Sequence, residues 1–345
     1  AIILVITAII VILLTNDNTN KVMISNEESK QLMNTNALTM MYETEAGSGE
    51  YQISTDNTWP TEGYTFNERL SDCENGSELT WDNERKAVIL SANVSDKCYV
   101  YFDKEPTLAD LCNGLTLSEC ITAQVYTGVD GENGLYYHDG VGIYTNADQE
   151  AGDNSYRFSG ANPNNYVCFG SDDAWCLKDN IYRIIGVFDG KVKLIKNKNY
   201  GSFPWDVDGD NTWNATTKPD VYTRLNDAYY NKFETKWQNK IAEHTWQVGG
   251  ISDANVYSSS VQTAYNYEVG VNQTGYVETM NVGLVYVSDY GYAASPESWT
   301  TTLDSYNDVT NTNWLYLGDS DWTISRCPDT TGNVYVNNFS VYEGV

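Results

Sequence analysis

A chain of 345 residues is long enough for two domains, each with its own hydrophobic core. Its 47 Asp and Glu outweigh 20 Lys and Arg, a formal net charge of -27 that repels nucleic acid phosphates and anionic headgroups and so argues against a nucleic acid partner. With 27 Tyr and 10 Trp but only 19% charged residues, the composition suits short strands, polar turns and an extracellular surface.

Residues 1–14, AIILVITAIIVILL, are apolar apart from Thr7. A membrane-spanning helix wants about 20 such residues and a signal-peptide core about 7 to 15, so the run lies between the two. Thr15-Asn16-Asp17 follows without a small-x-small cleavage site, which favours a retained membrane anchor helix over a cleaved signal or a buried core helix. The chain opens on Ala1, so the anchor's length is a lower bound. The polar residues 15–36 read as a stalk.

Residues 37–104 read as a small all-β, sandwich-like domain. Its segments ALTMMYET, GEYQIST, YTFNERL, SELTWD, KAVILSA and CYVYF are short, aromatic or β-branched, and separated by Gly, Asn, Asp and Pro. SELTWDNERKAVILSA predicts a hairpin turning near Asp82-Asn83, with Cys73 and Cys98 placed to staple it. Residues 105–135, holding PTLADLC and GVDGENG, form a connector that suits a domain boundary.

The second domain spans residues 136–345 and is built around IYRIIGVFDGKVKLIKN at 181–197. Asp189-Gly190 supplies the positive φ angles of a two-residue type I′ turn. The arm before it is apolar on both faces and reads as central; the arm after it alternates Lys191, Val192, Lys193, Leu194 and reads as half exposed. Val221, Leu225, Ala228, Tyr229, Phe233, Trp237 and Ile241 then recur at helical spacing, one amphipathic helix or two broken near Glu234, with Pro219 suited to the first turn. Strands are expected at 282–288, 312–318 and 321–326, and a last hairpin in NVYV, NNFS and VYEGV. The order β-β-α-β-β-β gives an α+β domain with a largely antiparallel sheet.

Seven cysteines fall mostly in short local pairs, Cys73 with Cys98, Cys112 with Cys120 and Cys168 with Cys176, leaving Cys327 over. None forms C-x-x-C and only two histidines exist, so zinc is poorly supported and disulfides made outside the cytoplasm are expected, against reduced buried thiols. Spacing leaves the connectivity open.

YRIIGVFDGKVKLIKN, TRLNDAYYNKF, VGLVYVSDYGYAA, WTISR and NVYVNNFSVYEGV, in that order, resemble a bacterial surface domain, domain of unknown function 6273. That family is similar in turn to the C-type-lectin-like superfold shared with sulfatase-modifying-factor-like domains. The resemblance covers roughly residues 155–345 and implies a C-type-lectin-like head. The segment ALTMMYET to CYVYFDKEP resembles a domain that accompanies it in membrane-anchored proteins of gut Firmicutes. In the family the last strand is followed by Gly-Val-Arg-Pro, so the stop at Val345 implies a truncated C-terminus.

Relatives on that superfold bind sugars, bind proteins or oxidise cysteine. A calcium-type lectin site is poorly served, since Asn162-Pro163-Asn164 and Trp213-Asn214-Ala215 each lack the acid a hard cation needs. Asp206, Asp208 and Asp210 alternate in an acidic loop that could converge on calcium, although the glycine stands at position four of the loop rather than six. A polar turn explains the loop equally well. Cys327 has no near partner, His138 and His244 are flanked by ordinary residues, and no GxSxG element occurs, so no catalytic residue is assigned. The candidates for ligand contact are the aromatic residues Trp205, Trp213 and Trp322, with Arg326; Trp299 and Trp314 belong to the same set, most of which should be core. The expected function is a membrane-anchored extracellular protein that binds a host or environmental glycan or protein. A pilin-like filament subunit and an extracellular enzyme of the sulfatase-modifying-factor-like superfold are the alternatives.

Overall fold

The computed structural model describes residues 21–24, 38–54, 58–60, 62–91, 96–140, 151–173, 175–208, 212–248, 259–270, 272–273, 275–303, 305–306, 312–316, 320–321, 323–328, 334–336 and 339–340. The expected anchor, residues 1–14, lies outside them. Among the described residues no helix is long and apolar enough to cross a membrane. The chain divides into two units, Ala1–Asn113 and Gly114–Val345, and the division falls inside the 105–135 connector.

The first unit holds β1 (Lys21–Ile24), β2 (Leu38–Glu43), β3 (Tyr51–Ile53), β4 (Tyr64–Phe66), β5 (Asp72–Cys73), β6 (Glu78–Asp82), β7 (Ala87–Ser91) and β8 (Cys98–Lys104), followed by the short helix α1 (Leu108–Leu111). All six strands expected from the sequence are present. β1 is an addition: within the segment read as stalk, the one β-prone tetrapeptide, KVMI, pairs antiparallel with β7. One sheet runs β1-β7-β6 and the other β3-β2-β8-β4, with β5 also on β8. Alternation sets the core between them. Leu38 and Met40 of β2, and Cys98, Val100 and Phe102 of β8, point inward with Val88, Leu79 and Trp59, while Tyr99 and Tyr101 face the other way. Burying each such apolar side chain stabilises the fold by about 1.5–3 kcal/mol. β6 and β7 form the expected hairpin, Asp82 opposite Ala87. β2 and β8 pair in parallel, which a long intervening crossover permits and no local signal foretells.

The second unit begins with α2 (Leu117–Cys120) and is built on an antiparallel sheet of β9 (Leu135–His138), β10 (Ser155–Phe158), β11 (Tyr166–Cys168), β12 (Ile181–Phe188) and β13 (Lys191–Lys196). β12 is the central strand: β10 and β11 share one of its edges and β13 takes the other. Its residues Tyr182 to Val187 are all buried, whereas β13 is half buried. Asp189 and Gly190 take φ of 48° and 72°, the expected primed turn. Gly186 sits where the pairing slips beside Ile184, and a Cβ there would stand 2.1 Å from the Tyr156 carbonyl.

Downstream, α3 (Asp220–Thr223) continues as wider and then tighter turns to Lys232, and α4 (Thr235–Gln238) restarts after Glu234, where the break was expected. Pro219 stands at the N-cap position just before the first turn, and Val221 and Leu225 are buried. β14 (His244–Val248) pairs with β15 (Tyr276–Met280), with α5 (Val261–Glu268) between them in sequence. The strand expected at 282–288 is absent. Val285 makes a single bridge to Thr323 and the chain then turns into α6 (Val287–Ala293). The reason is tertiary: the Glu268 carboxylate accepts the Val287 and Ser288 N–H groups at 2.9 and 3.0 Å, and Asp289 accepts that of Tyr286 at 2.9 Å. Together they cap a helix start that the β-branched run would not form alone. The expected strand at 312–318 is likewise reduced, within described residues 312–316, to an Asn313 bridge to Ala294 and a turn.

At the C-terminus β16 (Ser320–Asp321) pairs β19 (Phe339–Ser340), and β17 (Arg326–Pro328) pairs β18 (Val334–Val336). NVYV and NNFS therefore pair with earlier segments and not with each other, and VYEGV lies outside the described residues. Helices and a mainly antiparallel set of strands make the fold α+β.

Candidate functional site

Trp205 and Trp213 are core residues, 3% and 2% exposed, with ring centroids 5.7 Å apart. Each is too enclosed to meet a ligand, which corrects their placement as contact residues. Their indoles complete the hydrophobic cluster of Val221, Leu225, Val248 and Met280, and Trp213 donates its ring N–H to Glu278 at 3.2 Å. Trp299 and Trp314 are buried as well. Trp322 lies outside the described residues; Arg326 and Cys327 fall in β17. Asp206 is half buried, Asp208 is exposed, and Asp210 is outside the described residues. Burial, then the neighbouring Asp208 and Asp220, hold the Asp206 carboxyl above its ordinary range. Asp220 meanwhile accepts the Val207 N–H at 2.8 Å, so this loop uses a carboxylate to close its own turn. Among the described residues the one three-member group with metal-ligand spacing is Cys73, Asp96 and Cys98, and its two sulfurs are bonded to each other. His138 is buried with its Nδ1 accepting the Ala151 N–H at 3.2 Å, packed on Tyr292 and Trp299.

Three disulfides are present. Cys73 joins Cys98 and Cys168 joins Cys176, and Cys112 and Cys120 are both bonded. The Cys168–Cys176 bridge closes the loop after β11, which carries the most exposed large apolar side chain among the described residues. Trp175 stands 87% exposed and Leu177 56% exposed. The loop's root is well packed: Phe169 lies against Tyr182, Phe233 and Trp237 with centroids 5.2 to 5.7 Å away, its N–H donates to the Asn180 carbonyl at 2.9 Å, and the Asn180 side-chain amide donates to its carbonyl at 3.0 Å. Ser171 donates to Asp173 at 2.8 Å and Lys236 pairs with Asp172. On the adjoining strand Tyr166 lies over the Arg183 guanidinium at 4.4 Å, and Arg183 lies over Trp314 at 4.5 Å. An aromatic side chain removes about 150–250 Å² from water when buried, which is why Trp is enriched among interface anchors.

A second arrangement is internal. Arg157 of β10 pairs with Asp153 at 2.8 Å and reaches Asp289 of α6 at 3.5 Å, and Lys193 of β13 pairs with the same Asp289. Glu268 ends α5 beside them, accepting hydrogen bonds from Ser325 as well as from the α6 backbone. Burial raises the Glu268 carboxyl to about 7, with the Asp289 charge adding to it, against hydrogen bonds from Ser288 and Ser325. Burial likewise lowers Lys193, opposed by Asp289.

No family model, curated protein or solved structure matches this chain.

Neither arrangement was visible beforehand. Trp175 carried one signal, its position beside Cys176 in an acidic, turn-rich stretch, and the aromatic residues singled out were instead those that fill the core. Lys193 read as one of the polar positions of an alternating strand, and what covers it comes from segments far away in sequence.

Proposed function

We propose that this chain is a surface-displayed extracellular binding protein, held at the membrane through residues 1–14, whose second unit recognises a host or environmental glycan or protein. Its head is then of the type of the domain of unknown function 6273 and of C-type-lectin-like form. The single observation that carries the reading is Trp175, held out in solvent by a disulfide-closed loop on a packed aromatic root. An exposed indole next to the exposed Leu177 offers an aromatic and apolar anchor of the kind enriched at binding hot spots. The bridges agree with folding in an oxidising compartment. The test is a glycan and protein binding screen with the whole chain, comparing wild type with Trp175→Ala. A hot-spot residue costs about 2 kcal/mol or more on truncation, so the variant should lose affinity at least about tenfold for any ligand found. Equal binding by the two proteins removes the loop from the site, and an empty screen removes the reading.

A further inference from the structure

The Lys193–Asp289 pair is unusual in where it sits and in what surrounds it. The amine of Lys193 touches Oδ2 of Asp289, with side chains 17% and 2% exposed. Aromatic faces wall the nitrogen in: Tyr286 at 4.5 Å, Trp246 at 5.1 Å and Phe188 at 5.7 Å from Nζ to the ring centroids. The other acceptor positions of Asp289 are filled by donors, the Tyr286 N–H on Oδ2 at 2.9 Å and an Arg157 nitrogen 3.5 Å from Oδ1. An amine is thus held against a buried carboxyl group among aromatic faces, with a cation facing the oxygen on which negative charge would develop during attack.

We propose that Lys193 and Asp289 condense into an intramolecular isopeptide bond, tying the outer strand β13 covalently to helix α6. Burial disfavours the charged amine of Lys193, and the proposed reaction begins as a proton passes from Nζ to Oδ2. The uncharged amine attacks Cγ, and the oxyanion on Oδ1 faces Arg157. The carbon–nitrogen bond forms as the carbon–Oδ2 bond breaks, and the departing hydroxyl takes the amine's second proton. One amide and one water result from one amine and one carboxylic acid, with no electron transfer and no further reactant. Among the described residues the charges around the pair balance when Glu268 is protonated. Asp153 offsets Arg157, and in a mildly acidic medium Glu268, raised to about 7, is mostly protonated. The bond would link positions 96 residues apart. It would also give the second unit a clasp that neither reductant nor denaturant opens. The proposal is independent of which ligand the loop at Trp175 meets.

Mass spectrometry of the full chain, with all cysteines reduced and alkylated, is the test. The wild-type protein should weigh one water less than its sequence requires, and a digest should yield a branched peptide containing both Lys193 and Asp289. Lys193→Arg keeps the positive charge beside Asp289 but has no nucleophilic amine, and should return to the full sequence mass. A wild-type chain at full sequence mass, or one that has lost water while its Lys193 and Asp289 peptides remain separate, overturns the proposal. Because the wild-type measurement decides by itself, an unfolded variant leaves the conclusion intact.

Discussion

Glu268 ties the chemistry of single residues to stability. Its carboxyl is raised from an ordinary 4.5 to about 7, burial being the first cause. The folded chain therefore binds a proton that the unfolded chain releases between those values. The stabilisation is complete below about pH 4.5 and is lost as pH rises through about 7. The full span amounts to on the order of 3 kcal/mol. Urea unfolding of the second unit followed from pH 5 to pH 8 should show stability falling with pH, and Glu268→Gln should flatten that slope; a wild-type slope of opposite sign would contradict this assignment. The burial contribution survives if Asp289 becomes an amide, so the two tests do not interfere. At the same scale, Trp175→Ala should leave the melting temperature within about 1–2 °C of wild type, since surface substitutions change stability by about 0.5 kcal/mol or less. A residue so exposed does little to support the fold.

Elements separate what was legible from what was not. The 181–196 hairpin could be read because its signals are local: a turn dipeptide between two β-prone arms. The short strands of the first unit were legible for the same reason, as was the helical break at Glu234. α6 was not. Its residues prefer strand, and the groups that start it are Asp289 within and Glu268 twenty residues earlier, so a distant cap outweighs local propensity. The parallel partnership of β2 and β8 was hidden because register between distant strands is settled by the shared core of Met40, Val100 and Phe102. Trp205 and Trp213 misled because residue type does not report exposure; both answer to the cluster around Val221. Gly186 shows how closely β10 and β12 meet. Gly186→Ala would drive a methyl into the Tyr156 carbonyl and force the strands apart, an overpacking cost of about 1–3 kcal/mol or more. The measurement is the denaturation midpoint of the second unit, and an unchanged midpoint would mean that the strand bends freely there.

At the scale of the whole molecule, the chain carries separate cores. The first unit relies on Met40, Trp59, Val88, Val100 and Phe102 together with the Cys73–Cys98 bridge, whereas the second has the larger cluster around β12, α5 and α6. A bridge closing a loop of this length constrains the unfolded chain by about 3 kcal/mol, a large share of the stability that a small domain possesses. The second unit does not contain that bridge, and its own core is formed without residues of the first. Calorimetry of the whole chain should therefore resolve two unfolding transitions. Replacing Cys73 and Cys98 with Ala should lower one of them by about 10 °C or more while the other moves little, since about 1 kcal/mol shifts a domain of 60–100 residues by roughly 4–8 °C. A single transition that moves as one would mean that the two cores unfold together, and that the 105–135 connector transmits stability between them.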